Sequence, residues 1–219
     1  MILGVLRGRC ADSQSPRYIA AVSDLINYER NLPHRLPPGE VVFLTFRLAG
    51  SLPRTVVEQL QAELELAQQR FESEPAQRYA AQRRYFGRFD DQLNKGAYGP
   101  TYLRQPAIAT LVAESLRYFD GTGYDLRCYC LMPNHVHLVV RVLEEAPPLV
   151  KTLQRLKSYT ATQANKLLER DGAFWQAESY DHLVRKGELE RVVAYVLENP
   201  VKAGLVEDWE QWPYTYWAL

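Results

Sequence analysis

Two histidines, one tyrosine and one asparagine have types and spacings that invite chemistry. His135 and His137 stand two apart in MPNHVHLVV, and Tyr195 and Asn199 stand four apart in YVLEN. Positions i and i+2 on a strand point both imidazoles to one side, and neutral imidazole is a common ligand for divalent metals. Positions i and i+4 on a helix place a phenol and a side-chain amide one turn apart.

Structural zinc asks for four Cys or His ligands. The chain holds 4 histidines and 3 cysteines and has no Cys-x-x-Cys. Two histidines with an oxygen ligand suit a more open site for Mg²⁺ or Mn²⁺. The plainer alternatives are that His-Val-His decorates an ordinary strand, and that Tyr195 is one half-exposed ring among 14 tyrosines.

The elements that must position these residues can be read around them. Tyr124 to Val142 reads as a β-hairpin. Met132-Pro133-Asn134 has turn chemistry, because Pro presets φ and Asn tolerates the left-handed region. With those three residues as the loop, Leu131 pairs with His135, Tyr129 with His137, Arg127 with Val139 and Asp125 with Arg141. The other face sets Cys130, Cys128, Leu126 and Tyr124 against Val136, Leu138, Val140 and Val142. It is apolar throughout and belongs against helices. Cys128 and Cys130 then point away from the histidines, whose own side is left open or half covered.

Glu188 to Asn199 reads as a helix with Leu189, Val192, Val193, Val196 and Leu197 as its buried stripe. Glu188 and Glu190 suit the dipole of its first turn, and Pro200 stops it at Asn199. Tyr195 falls off the stripe, with Asn199 beside it on the next turn.

Elsewhere, Val41 to Leu48 alternates as a first strand, with Val42, Leu44, Phe46 and Leu48 inward and Thr45 and Arg47 on the other face. Arg47 can thereby lie near the histidines and meet a phosphate, or remain a solvated charge. Leu52-Pro53 opens a long helix, Pro106 to Phe119 is a second, and Leu149 to about Leu168 a third. Gln77 to Arg104 reads as an irregular stretch mixing Arg83 and Arg84 with Tyr and Phe. That suits backbone contact and base stacking, or a surface loop with its aromatics tucked inward. Phe174 to Arg185 reads as a loop and short strand, and the final WEQWPYTYW as aromatic packing. Residues 1–30 are weakly patterned and read as a flexible extension, with 31–219 as one domain.

Met132 to Val139 resembles the HUH motif (His, hydrophobic, His) of the single-tyrosine transposases. Tyr195 to Gly204, YVLENPVKAG, resembles the tyrosine helix of their REP-associated branch. The resemblance runs in order from about Asn31 to Trp217. It implies an α+β fold of ferredoxin- or RRM-like type, an antiparallel sheet with helices on one face and the HUH pair on a central strand. It implies a reaction as well: the tyrosine attacks single-stranded DNA, keeps the 5′ phosphate as a phosphotyrosine and releases a 3′-OH, which can later reverse the step. Carried over, Tyr195 is the nucleophile, and His135, His137 and Asn199 hold Mg²⁺ or Mn²⁺. Asn199 stands where some members have Gln. His182 fits a position near the tyrosine helix and is a candidate neighbour of the site.

The partner implied is single-stranded or hairpin DNA. Arg47, Arg83, Arg84, Arg155, Lys157 and Lys202 are candidate contacts, with Lys157-Ser158-Tyr159 matching a segment after the HUH strand. The family includes homodimers as well as monomers. Two other functions stay open: a nucleic-acid-binding module of the same fold without catalysis, and a metal-dependent phosphodiesterase that activates water.

Composition sets bounds. Lys plus Arg and Asp plus Glu balance at 26 each, so no global basic field draws in nucleic acid and binding must rest on placement. Aromatics at 11% supply surfaces for stacking. No Walker-type phosphate loop is present, and phosphotyrosine exchange needs no ATP. The few unpatterned cysteines, the absence of a secretory pattern and of a long apolar run read as a cytoplasmic protein without a membrane span.

Overall fold

The computed structural model describes residues 36–218. The expectation for residues 1–30 lies outside them. Five strands, β1 (Val41–Leu48), β2 (Asp125–Leu131), β3 (His135–Arg141), β4 (Trp175–Leu183) and β5 (Thr215–Trp217), form one antiparallel sheet in the order β4-β1-β3-β2-β5. Among the described residues six α-helices accompany it: α1 (Arg54–Arg70), α2 (Pro75–Asn94), α3 (Pro106–Tyr118), α4 (Leu149–Leu167), α5 (Leu189–Leu197) and α6 (Asn199–Lys202). The first four strands have the 4-1-3-2 order of a split βαβ arrangement, with α3 and α4 as crossovers.

Alternation along the strands builds two cores. On one face Val42, Leu44, Phe46 and Leu48 of β1 and Val136, Leu138 and Val140 of β3 pack with Ile108, Val112 and Leu116 of α3 and Leu153 and Leu156 of α4. This is the helix-covered face that the sequence implies. The second face is also covered, beyond the expectation of helices on one face. There Phe43, Val139, Cys128 and Cys130 meet Phe86 of α2 and Val196 and Leu197 of α5. His135 and His137 are fully buried rather than open or half covered.

The hairpin register departs from the expected one. Met132 N–H donates to the His135 carbonyl at 2.9 Å, so pairing continues to Pro133-Asn134, a tighter loop than the three residues expected. Leu131 pairs with Val136, Cys130 with His137 and Cys128 with Val139, whereas Leu126 and Asp125 keep Val140 and Arg141. A bulge at Arg127 absorbs the extra residue and reverses the alternation beyond it. The faces of β2 are therefore exchanged near the turn. Cys128 and Cys130 share the histidine face, and Tyr129 and Leu131 enter the α3/α4 core. Burial pushes both thiols up to about 12.

Residues 77–94 are likewise helical rather than irregular, and only 95–104 keep the irregular character expected of the stretch. Ala81, Tyr85, Phe86, Asp90 and Leu93 recur on one side of α2, which packs on Leu60 and Leu64 of α1 and, through Phe86, on the sheet. The C-terminal aromatics form β5, with Tyr216 stacked on Tyr129 at 5.4 Å between centroids.

Candidate active site

Four elements converge on the second face. β3 contributes His135 and His137, whose Nε2 atoms lie 3.0 Å apart. β1 places Thr45 opposite His137, with Thr45 Oγ1 and His137 Nδ1 2.8 Å apart. The hairpin turn places Asn134 Oδ1 2.6 Å from His135 Nδ1. The outer nitrogen of each ring is thus engaged, and the inner nitrogens face the same point. α2 brings Asp90, whose Oδ1 is 3.2 Å from His137 Nε2 and 3.6 Å from His135 Nε2. α5 brings Tyr195, whose hydroxyl donates to Asp90 Oδ2 and whose ring centroid is 5.8 Å from that of His137.

The electrostatics follow from burial. His135 is pushed down to about 3 by desolvation and by the neighbouring His137, which outweigh the attraction of Asp90, so it is neutral at physiological pH. Desolvation alone would raise Asp90. His137, His135 and the Tyr195 hydrogen bond prevail and hold its carboxyl below the ordinary range. Burial, then the Asp90 charge and hydrogen bond, push the Tyr195 phenol well above its usual range.

These residues fit a divalent ion. One carboxylate oxygen and two imidazole nitrogens from Asp90, His135 and His137 lie within 4.8 Å of one another. Asp90 Oδ1 is buried and has no hydrogen bond. Neighbouring ligands at about 2.1 Å from an octahedral ion lie about 3 Å apart, which matches the spacings here. Mixed imidazole and carboxylate donors suit Mn²⁺ or Mg²⁺ better than a closed structural zinc site.

Residues 105–199 match the family model described as transposase IS200 like. The chain is also 29% identical over 96 residues to a Haemophilus influenzae protein assigned to the REP-associated tyrosine transposases. That match covers 39% of this chain and 54% of the relative, so the chain spans about half that protein's length. A solved REP-associated tyrosine transposase bound to a REP hairpin aligns with a TM-score of 0.46 and 16% identity, over 85% of this chain and 82% of the other.

The IS200-like segment contains His135, His137, Tyr195 and Asn199, and the fold brings the first three together. Asn199 is buried at the start of α6 with its amide already engaged. Its Nδ2 donates to the Tyr195 carbonyl at 2.9 Å, and its Oδ1 accepts from Asn94 Nδ2 at 3.0 Å. Asn94 Nδ2 also lies 3.1 Å from Asp90 Oδ2. Asp90, which precedes the IS200-like segment, was not anticipated from sequence. The available signal was a carboxylate inside the apolar stripe of α2, a position that burial normally denies to an unpaired charge.

The remaining candidates stand around this centre. His182 on β4 pairs with Phe43, whose ring stacks on His137 at 5.6 Å. The imidazole of His182 itself meets the Tyr79 hydroxyl at 3.3 Å, and burial lowers its pKa. Arg47 lies across from His135, buried, with its guanidinium over Phe89 and Nη1 donating to Ser51 Oγ at 3.2 Å. Lys202 Nζ stands 4.3 Å above the Tyr195 ring. Arg83 and Arg84 on α2 and Arg155 on α4 are exposed. The Lys157 ammonium donates to the carbonyls of Gln176 and Ala177 and to Ser179 Oγ, and burial brings its pKa down to about 8. Among the described residues no helix is long and apolar enough to cross a membrane.

Proposed function

We propose that this protein is a divalent-metal-dependent transposase that cleaves and rejoins single-stranded DNA at hairpins through a 5′-phosphotyrosine, with Tyr195 as nucleophile and His135 and His137 as metal ligands. The observation that carries the reading is the meeting of the Tyr195 hydroxyl with a buried carboxylate that also faces both imidazoles. The match to the IS200-like family model supports transposase chemistry.

The Tyr195 oxygen forms a bond to the scissile phosphorus while the bond to the 3′ oxygen breaks. The phenol proton leaves, the departing strand takes a proton as its 3′-OH, and the 5′ phosphate stays on Tyr195. A bound Mg²⁺ or Mn²⁺ supplies polarisation of the phosphate and relief of charge on its oxygens. The phenol's raised pKa means that Tyr195 rests protonated, so a substrate phosphate must displace or share its hydrogen bond to Asp90. Lys202, packed on the attacking ring, is placed to meet the incoming phosphate. Exposed Arg83, Arg84 and Arg155 offer backbone contacts further out.

The test is incubation with labelled single-stranded hairpins drawn from the flanks of its own gene, with Mn²⁺. A covalent protein–DNA adduct with a free 3′-OH product is expected. A free 5′ phosphate without adduct would point instead to water as the nucleophile.

A further inference from the structure

The carboxylate of Asp90 faces two ways. Oδ2 accepts the Tyr195 hydroxyl, while Oδ1 turns toward the paired imidazoles, buried and without a hydrogen bond. Asp90 is 2% exposed, and a buried carboxylate oxygen that faces two imidazole nitrogens without a well-aligned hydrogen bond is costly. We propose that Asp90 is the third protein ligand of the metal site, through Oδ1, and that its Oδ2 holds the nucleophile beside the ion. This rests on the metal-dependent reading of the site and names the residue that joins its two halves.

The other oxygen available for the third position is that of Asn199, which accepts from Asn94. Asn94 is itself within hydrogen-bonding reach of Asp90 Oδ2. Asn199 therefore acts as a brace behind the carboxylate and under the Tyr195 carbonyl, not as a donor to the ion. The spacing also favours Asp90, because its Oδ1 sits 3.2 Å and 3.6 Å from the two inner nitrogens. A carboxylate is the stronger ligand for a hard cation and lowers the net charge of the loaded site. Asp90 arrives on α2, before the segment matched by the family model, so the helical pair α1/α2 completes a centre built on the sheet.

The test is Mn²⁺ binding to the full chain without DNA, followed by calorimetry and by the loss of the free-ion paramagnetic resonance signal. Asp90→Asn keeps the size of the side chain and an oxygen for the Tyr195 hydroxyl but removes the charge. It is expected to weaken Mn²⁺ binding by about tenfold or more, and by more than Asn199→Ala, which removes a brace of the carboxylate rather than a ligand. Asp90→Cys gives an independent readout: a thiolate ligand favours Cd²⁺ and produces a sulfur-to-metal charge-transfer band in the ultraviolet. Wild-type affinity in Asp90→Asn, no band in folded Asp90→Cys, or a wild type that takes up no Mn²⁺ at millimolar concentration would each overturn the proposal. A wild type that loses Mn²⁺ binding with Asp90→Asn yet never links to DNA leaves this assignment standing and sinks the transposase reading.

Discussion

Asn134 fixes the ring of His135 from behind: its Nδ2 donates to the Leu93 carbonyl at 3.0 Å, so its Oδ1 is the atom that faces His135 Nδ1 at 2.6 Å. An oxygen acceptor at that distance requires a proton on Nδ1. In the neutral ring the Nε2 lone pair is then left bare and aimed at Asp90 and His137. The same amide ties the hairpin turn to the end of α2. Asn134→Ala removes both contacts, and the expected loss is about 1–3 kcal/mol of stability for the orphaned groups. Mn²⁺ affinity should fall by about 10- to 100-fold as the ring is freed. Denaturant titration and calorimetry measure the two effects separately.

Tyr195→Phe deletes the hydroxyl and leaves the ring that packs against Phe43 and under Lys202. Covalent adduct should vanish, while Mn²⁺ affinity and gel-shift binding of a DNA hairpin persist. Adduct at the wild-type level in this variant would remove Tyr195 from the nucleophile role.

The protein should be acid-labile through His135. Its folded pKa is depressed to about 3, whereas an unfolded histidine titrates at about 6.5. Between those values the unfolded chain holds a proton that the native ring refuses, so stability rises with pH across the window and falls as pH drops. One such group gives a slope of up to about 1.4 kcal/mol per pH unit. Asp90, held below its ordinary range, adds stability that is lost at still lower pH, which has the same sign. Urea titrations at successive pH values should show the slope, and His135→Gln should flatten it between about pH 4 and 6.

Much of this site could be read from sequence because its parts obey simple periods. The alternation of Val41–Leu48, the helical stripe around Tyr195 and the i, i+2 histidines each follow from side-chain direction alone. Two features resisted that reading. The bulge at Arg127 changes which face Cys128 and Cys130 occupy, and no local pattern marks it, because both β2 faces are apolar enough to satisfy either register. The other is α2, where arginines and a glycine hide a stripe of Ala81, Tyr85, Phe86 and Leu93. Asp90 falls within that stripe, and its partners lie more than forty residues away in β3, a separation that no window along the chain can span.

Phe86 shows how α2 is held over the site. Its ring stacks on Tyr180 at 4.1 Å and meets Phe43 edge-on at 5.4 Å, and Asp90 follows one turn later on the same helix. Phe86→Ala should cost about 3–5 kcal/mol through the cavity it opens. If α2 positions Asp90, Mn²⁺ affinity must fall as well, even where the protein remains folded, and amide exchange across residues 85–94 must quicken. Leu116→Ala is the control, since Leu116 is fully buried in α3 on the opposite face of the sheet. It should lose about 2–5 kcal/mol without changing Mn²⁺ affinity. Equal metal affinity in the two variants would mean that the carboxylate finds the imidazoles without the help of the Phe86 contact, and that α2 is docked by α1 alone.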